Sequence, residues 1–167
     1  MLAGIGPAAR QPVVRFAGSM GLAFQLIDDI KDFSSSPGWG KQRGEDLRAG
    51  KLTYVILRAL ERLALPDRGF LRDILCQPDR RRDPGILKRG IELVVHSGAC
   101  EQVREEARAL VAPAWEALSL SVPPSSSKTE LRFLWESLVE SSMAGERSSA
   151  PEDQDRADGR EQREIGK

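Results

Sequence analysis

The amino-acid sequence predicts an all-α fold, and two observations support that prediction. Apolar residues recur mostly three and four positions apart, which is the spacing of one helix face, and no segment alternates as a half-buried strand does. Aromatic residues make up only 5% of the 167 residues, and β-branched residues are sparse outside short runs. A chain of this length is sufficient for one domain with one hydrophobic core.

Proline, glycine and serine clusters divide the chain into helical segments. The first helix is predicted to begin near Pro12, because proline suits the first helical turn. The pair Pro66-Asp67 is predicted to end the second helix. The first helix carries an apolar stripe at helical spacing, formed by Phe16, Met20, Ala23, Phe24 and Ile27. The predicted helices are 12–33, 52–63, 70–76, 85–96, 99–118 and 128–142, with loops at 34–51 and 78–84.

The composition changes after residue 142. Apolar residues almost vanish and charges of both signs dominate from Met143 to the end. Such a segment buries too little apolar surface to offset the entropy of ordering it. The sequence therefore predicts a helical domain over 1–142 and a disordered charged tail over 143–167.

The charge and cysteine content exclude several classes of function. The formal net charge is zero, which removes the usual electrostatic attraction to nucleic acid or to an anionic membrane. No apolar run approaches the roughly 18 residues that span a bilayer. Cys76 and Cys100 lack CxxC spacing, and the single His96 cannot complete a zinc site with them. With no signal-peptide pattern at the N-terminus, a cytoplasmic protein with free thiols is expected.

Four polar residues share one face near the end of the first helix. Gln25, Asp28, Asp29 and Asp32 stand at offsets of three, four and seven positions. Like charges at such spacing destabilise a helix, and aspartate is a poor residue for a helix interior. A compensating cation is therefore expected, and carboxylates on a single helix suit Mg²⁺, which keeps waters and shares its coordination with substrate phosphates. The alternative is a solvated acidic helix end.

The segment after these aspartates combines glycines with two lysines, Lys41 and Lys51. Glycines allow the backbone to approach a ligand closely, and the lysines can neutralise diphosphate oxygens that a metal ion leaves uncovered. Asp46 can orient a lysine or a metal-bound water. Trp39 lies in the same loop, where it either covers the site or has no part in it.

Three sequence segments together resemble a known family. GLAFQLIDDIKD (21–32), GK (40–41) and GEDLRAGKLT (44–53) closely resemble the second aspartate-rich region of trans-isoprenyl diphosphate synthases, the polyprenyl synthetases. The resemblance implies that residues 1–142 form the C-terminal part of the isoprenoid synthase helical bundle. Family members are usually dimeric, so a homodimer or a heteromer with a full-length synthase is expected.

The resemblance also implies a reaction. Members of the family join an allylic diphosphate to isopentenyl diphosphate, with Mg²⁺ stabilising the departing pyrophosphate while an allylic carbocation forms. By motif position, Asp28 and Asp29 would hold Mg²⁺, and Asp32 would bind it directly or through water. The residues expected to contact or support the allylic diphosphate are Gln25, Lys41 and Lys51, with Phe24 lining the site.

The sequence also departs from the family. The first aspartate-rich motif of the family lies well upstream of the second, and no second DDxxD occurs in this chain. Three hypotheses follow: a prenyltransferase fragment completed by the absent half or by a partner, an inactive regulatory or interaction subunit of a full-length synthase, and a bare helical module. The isolated chain is expected to be inactive, because one acidic helix cannot exclude water from a carbocation.

Overall fold

The computed structural model describes residues 6–34 and 43–140. Within these ranges the chain forms helices and short connections without a strand, which confirms the all-α prediction. The helices are α1 (Pro7–Lys31), α2 (Glu45–Ala49), α3 (Tyr54–Arg62), α4 (Leu65–Cys76), α5 (Pro78–Arg82), α6 (Pro84–His96), α7 (Ala99–Ser121) and α8 (Ser126–Glu140). None of these helices is long and apolar enough to cross a membrane.

The two longest helices, α1 and α7, pack against each other along the core. Their contact includes the rings of Phe16 and Trp115, whose centroids lie 5.5 Å apart. Buried apolar side chains of the two helices belong to one cluster, which includes Phe16, Ala23, Ile27 and Ile30 from α1, and Ala99, Val103, Ala107, Val111, Ala114 and Leu118 from α7. Helices α3, α4 and α6 extend this cluster, with α3 packed on α7 beside α1.

The short helix α2 packs on α6, and the backbone just before α2 comes close to a side chain of α6. Gly44, which precedes α2, has φ +78°, a conformation that side-chain-bearing residues rarely adopt. A Cβ placed on Gly44 would lie 2.3 Å from Cδ1 of Ile91. Leu47 of α2 is fully buried. Glycine at position 44 therefore allows the segment after α1 to turn and dock on the domain.

The proline-based helix boundaries were wrong at three places. α1 begins at Pro7, so Pro12 lies inside the helix rather than at its start. α3 ends at Arg62, close to the predicted end at 63, but Pro66 lies in the first turn of α4, which begins at Leu65 rather than at 70. Residues 78–82, predicted as loop, form α5, which also has proline in its first turn. The physical reason is common to α4 and α5: proline removes only an N–H that the first turn leaves unpaired, so it marks a helix start as readily as an end.

The placement of Phe24 in the apolar stripe was also wrong. Its side chain is 54% exposed, and the ammonium group of Lys31 lies 5.9 Å from the ring centroid. Successive helical residues are rotated by about 100°, so Phe24 lies to one side of the face that buries Ala23 and Ile27. The predicted tail over 143–167 and two loop residues, Trp39 and Lys41, lie outside the described residues.

Replacing Gly44 by alanine is expected to destabilise the fold. The new methyl group would enter the space of Ile91, and the left-handed backbone would be strained. Together these effects should lower the free energy of unfolding by about 2 kcal/mol or more, measured by urea denaturation. The matched control is Gly69→Ala in α4, where a Cβ meets no atom within 4 Å. That variant should be unchanged or more stable, and equal stability of both variants would contradict the prediction.

Candidate functional site

The last two turns of α1 carry the predicted acidic face. Gln25 and Asp28 are exposed, whereas Asp29 and Asp32 are half-buried beside the core residues Ile27 and Ile30. Asp28 therefore points into solvent, whereas Asp29 and Asp32 lie against the surface of the domain. Each carboxylate consequently has different neighbours, although all belong to one short motif.

Asp32 joins α1 to α2. Its Oδ1 accepts a hydrogen bond from the backbone N–H of Glu45 at 3.0 Å, and its Oδ2 accepts one from the N–H of Asp46 at 3.1 Å. The backbone carbonyl of Asp32 accepts from the N–H of Gly44 at 2.8 Å. The first N–H groups of a helix have no partner within it, so Asp32 acts as the cap of α2. Each carboxylate oxygen retains a second lone pair, with which it can still accept from a metal-bound water.

Asp46, in the first turn of α2, forms an ion pair with Lys51. The distance from Lys51 Nζ to Asp46 Oδ1 is 2.7 Å, and the side chain of Lys51 is 67% exposed. The hydrogen bond to Asp46 is the main cause that raises the pKa of Lys51 above its ordinary value. The structure therefore brings Asp46, Lys51 and Asp32 together through α2, whereas Lys41 lies outside the described residues.

Burial raises the pKa of the carboxyl groups of both Asp29 and Asp32. For Asp29, desolvation outweighs the hydrogen bond that its Oδ2 accepts from the backbone N–H of Tyr54 at 3.0 Å, and the nearby charges of Asp46 and Asp28 add to the increase. For Asp32, desolvation likewise outweighs the two N–H groups of α2. The ionised form of each carboxyl group is therefore less favourable here than in water.

The donor chemistry fits Mg²⁺ bound together with a phosphate ligand. In residues 6–34 and 43–140, no group of three or more His, Cys, Asp or Glu side chains converges to enclose a metal ion by itself. Mg²⁺ does not need such an enclosure, because it commonly binds one or two carboxylates and takes its other ligands from water and substrate phosphates. Asp28 and Asp29 carry hard carboxylate oxygens of the kind this arrangement uses, and the positive charge of Lys51 acts on Asp29.

Sequence reasoning missed a polar cluster behind Asp29, formed by Tyr54, Arg58 and Glu106. The Tyr54 hydroxyl donates to Glu106 Oε2 at 2.7 Å, and Arg58 lies 3.0 Å from Glu106 Oε1. Burial raises the pKa of Glu106, but hydrogen bonds from Tyr54, Gln102 and Arg58 outweigh it and leave the pKa below its ordinary value. The hydrogen bond to Glu106 raises the pKa of Tyr54. The only sequence signal was a pair of polar residues, Gln102 and Glu106, beside the apolar stripe of α7.

Arg81 of α5 packs against Gly50, the residue that follows α2. Its Nη1 donates to the backbone carbonyl of Leu75 at 2.7 Å. Gly50, which has φ +73°, lies directly beneath the guanidinium group, since a Cβ placed there would lie 1.8 Å from Arg81 Nη1. The side chain of Arg81 is thus partly buried against the residue preceding Lys51, in contrast to the solvated loop predicted for this segment.

Comparison with known proteins agrees with this architecture. The sequence model of the polyprenyl synthetase family matches residues 1–94, which include the acidic face of α1, all of α2 and Lys51. More than half of the chain is therefore covered, and the chain belongs to the polyprenyl synthetase family.

Individual relatives are prenyl-transferring enzymes by name. The chain is 34% identical over 115 residues to the all-trans-nonaprenyl-diphosphate synthase (geranyl-diphosphate specific) of Rhodobacter capsulatus, covering 68% of this chain and 34% of the relative. It is 34% identical over 126 residues to a prenyl transferase of Cyanophora paradoxa, covering 72% of this chain and 35% of the relative. For the chloroplastic solanesyl diphosphate synthase 1 of Arabidopsis thaliana the identity is 34%, covering 62% of this chain and 24% of the relative. The chain thus spans about a quarter to a third of the length of these relatives.

The raised pKa of Asp29 predicts that the variant Asp29→Asn is more stable than the unaltered chain at neutral pH. A carboxyl whose pKa is higher in the folded than in the unfolded chain stabilises the fold when protonated, and this contribution is lost as the pH rises through the folded pKa. At pH 7 the amide therefore avoids the desolvation of a charge while its oxygen still accepts from Tyr54. The urea midpoint should rise at pH 7, and the difference should shrink as the pH falls toward 3.8, the ordinary pKa of Asp.

Asp79→Asn provides the control for this measurement. Its side chain is 91% exposed and pairs only across the surface with Arg82. A surface ion pair of this kind contributes within about 1 kcal/mol, so the midpoint should change little. A lower midpoint for Asp29→Asn than for the unaltered chain at pH 7 would show that the contacts of the carboxylate outweigh its desolvation.

Proposed function

We propose that the chain provides the second magnesium–diphosphate site of a prenyltransferase that joins an allylic diphosphate to isopentenyl diphosphate. The observation that supports this most directly is the arrangement around α2, where the acidic face of α1 is tied through Asp32 to Asp46 and Lys51. Carboxylates for a divalent cation and an ammonium group for phosphate oxygens are thus held close together by the contacts between α1 and α2.

Each proposed residue has a distinct part in this assignment. Asp28 and Asp29 hold Mg²⁺, and Asp32 supports it through water because both of its oxygens already accept backbone N–H groups. Lys51 pairs with diphosphate oxygens, and Asp46 keeps its ammonium group beside the acidic face. Mg²⁺ bound here would stabilise the negative charge of a departing pyrophosphate. Gln25, exposed one turn before Asp28, and Lys41 complete the predicted diphosphate contacts.

The exposed apolar side chains of α1 favour a site that another polypeptide segment completes. Val14 is 61% exposed, Leu22 is 48% exposed and Phe24 is 54% exposed, all on the helix that carries the acidic face. A prenyl chain and a carbocation require an apolar, water-free enclosure, which these side chains can line only if they are covered. The same exposure supports the second candidate, an inactive subunit that binds a full-length synthase. A homodimer or such a heteromer is the proposed assembly.

The cytoplasm is the proposed location. Cys76 and Cys100 are not joined to each other by a disulfide, which is compatible with a reducing compartment. One of the relatives above is chloroplastic by name, so an organelle is the competing location. Fluorescence microscopy of the tagged chain in its native cell separates the two locations, and a signal confined to an organelle would contradict the proposal.

The half-site itself is tested by titrating the chain with pyrophosphate in the presence of Mg²⁺ and measuring the heat. Binding should require Mg²⁺, and Asp28→Ala or Asp29→Ala should weaken it by at least about tenfold, the equivalent of ~1.4 kcal/mol. Asp79→Ala, on the exposed surface of α5, is the control and should bind as the unaltered chain does. Absence of any Mg²⁺-dependent heat from the unaltered chain would refute the half-site.

Catalysis is tested by incubating the chain with Mg²⁺, labelled isopentenyl diphosphate and an allylic diphosphate. We expect no prenyl product from the chain alone, because a single acidic helix cannot enclose the reacting atoms. Product formed by the unaltered chain but not by the double variant Asp28→Ala, Asp29→Ala would show independent activity. Co-purification with a full-length synthase, together with a change in the activity of that synthase, would favour the subunit hypothesis.

A further inference from the structure

The side chain of Tyr54 is held at its hydroxyl by charged groups from two helices. Tyr54 Oη donates to Glu106 Oε2 on α7 at 2.7 Å, and Arg58 Nη2 donates to Tyr54 Oη at 2.6 Å. Arg58 also pairs with Glu106 at 3.0 Å, and Gln102 Nε2 donates to Glu106 Oε1 at 2.9 Å. Hydrogen bonds to ionised groups are stronger and shorter than those between neutral groups, so this network restrains the phenol ring.

The backbone of the same residue faces α1. Tyr54 is the first residue of α3, and its N–H is one of those for which the helix offers no acceptor. That N–H donates to Asp29 Oδ2 at 3.0 Å. Tyr54 therefore connects α7, through its hydroxyl, to the acidic face of α1, through its amide.

We propose that Glu106 is a positioning residue for Asp29, acting through Tyr54. By fixing the ring of Tyr54, Glu106 fixes the start of α3, so that the Tyr54 N–H holds Oδ2 of Asp29. The other oxygen, Oδ1, is then presented in one orientation toward a divalent cation and a diphosphate. This inference rests on the proposed function in one respect, because Asp29 is there assigned to Mg²⁺.

Apolar contacts also hold α3 against α7. The buried residues Val55, Ile56 and Ala59 of α3 share the apolar core with Val103 and Ala107 of α7. Glu106 is 31% exposed at its side chain and is not one of the apolar residues of that core. The apolar packing permits more than one position of the Tyr54 ring, and the hydrogen bonds of Glu106 hold the ring in one of them. Positioning of this kind determines how well a metal-binding carboxylate is oriented.

The single tyrosine of the chain allows a direct test of this position. Labelling with ¹⁵N-tyrosine gives one backbone amide signal, that of Tyr54, whose hydrogen exchange reports its bond to Asp29. Glu106→Ala should accelerate this exchange by roughly fivefold or more, whereas Glu106→Gln, which still accepts from the hydroxyl, should retain most of the protection. Asp29→Ala should also accelerate the exchange, since it removes the acceptor itself.

The matched control is Glu105→Ala. Glu105 neighbours Glu106 on α7, and within the described part of the chain its ion pair is with Arg108. Its removal should leave the exchange rate of the Tyr54 amide and the thermal midpoint unchanged. An unchanged exchange rate in Glu106→Ala would overturn the proposal. If Glu106→Ala fails to fold, Arg58→Met takes its place, with at least about twofold faster exchange expected and an unchanged rate again overturning the proposal.

Calorimetry with Mg²⁺ and pyrophosphate then links this position to the site. Glu106→Ala should weaken binding by roughly threefold to tenfold, and it should cause no further loss in an Asp29→Ala background, because the effect passes through that carboxylate. Equal losses in both backgrounds would show that Glu106 acts independently of Asp29 and overturn the proposal. If the unaltered chain does not bind, the proposed function fails, whereas the exchange measurement still decides whether Glu106 positions Asp29.

Discussion

The packing of α1 against α7 determines the direction in which every acidic residue of α1 points. Ala23, Ile27 and Ile30 are buried in that contact, and helical geometry then leaves Asp28 in solvent and Asp29 at the edge of the core. The same packing explains why one carboxylate is exposed and the other is half-buried. One face of α1 enters the apolar core, another face carries the carboxylates, and the packing of α1 sets the direction of both.

Partial burial makes the ionised carboxylates of Asp29 and Asp32 less favourable than they would be in water. Asp29 and Asp32 are desolvated and lie near other acidic groups, which raises the pKa of each. A sequence selected for stability alone would place neutral residues at such positions. Retaining charge where it is unfavourable is a departure from local consistency, and such departures are concentrated at functional sites. A bound cation with its phosphate ligand would offset the cost of desolvating these charges.

Helical periodicity predicted the all-α fold and the polar face of α1, because both depend on residues close together in the sequence. It could not predict the partners of that face. Asp32 meets the N–H groups of residues 13 and 14 positions later, and Tyr54 meets Glu106 across 52 positions. Such contacts follow from how helices dock, which no local pattern specifies. Pro66 shows a second reason: proline is compatible with either end of a helix, and only tertiary structure shows which.

The contact between Arg81 and Gly50 ties the α4–α5 junction to the residue before Lys51. A residue other than glycine at position 50 would be strained at φ +73° and would displace the guanidinium group, and a short residue at position 81 would remove the donor to the carbonyl of Leu75. For protein engineering, a chimaera that takes residues 65–82 from a relative therefore keeps this contact only if it retains both the arginine and the glycine.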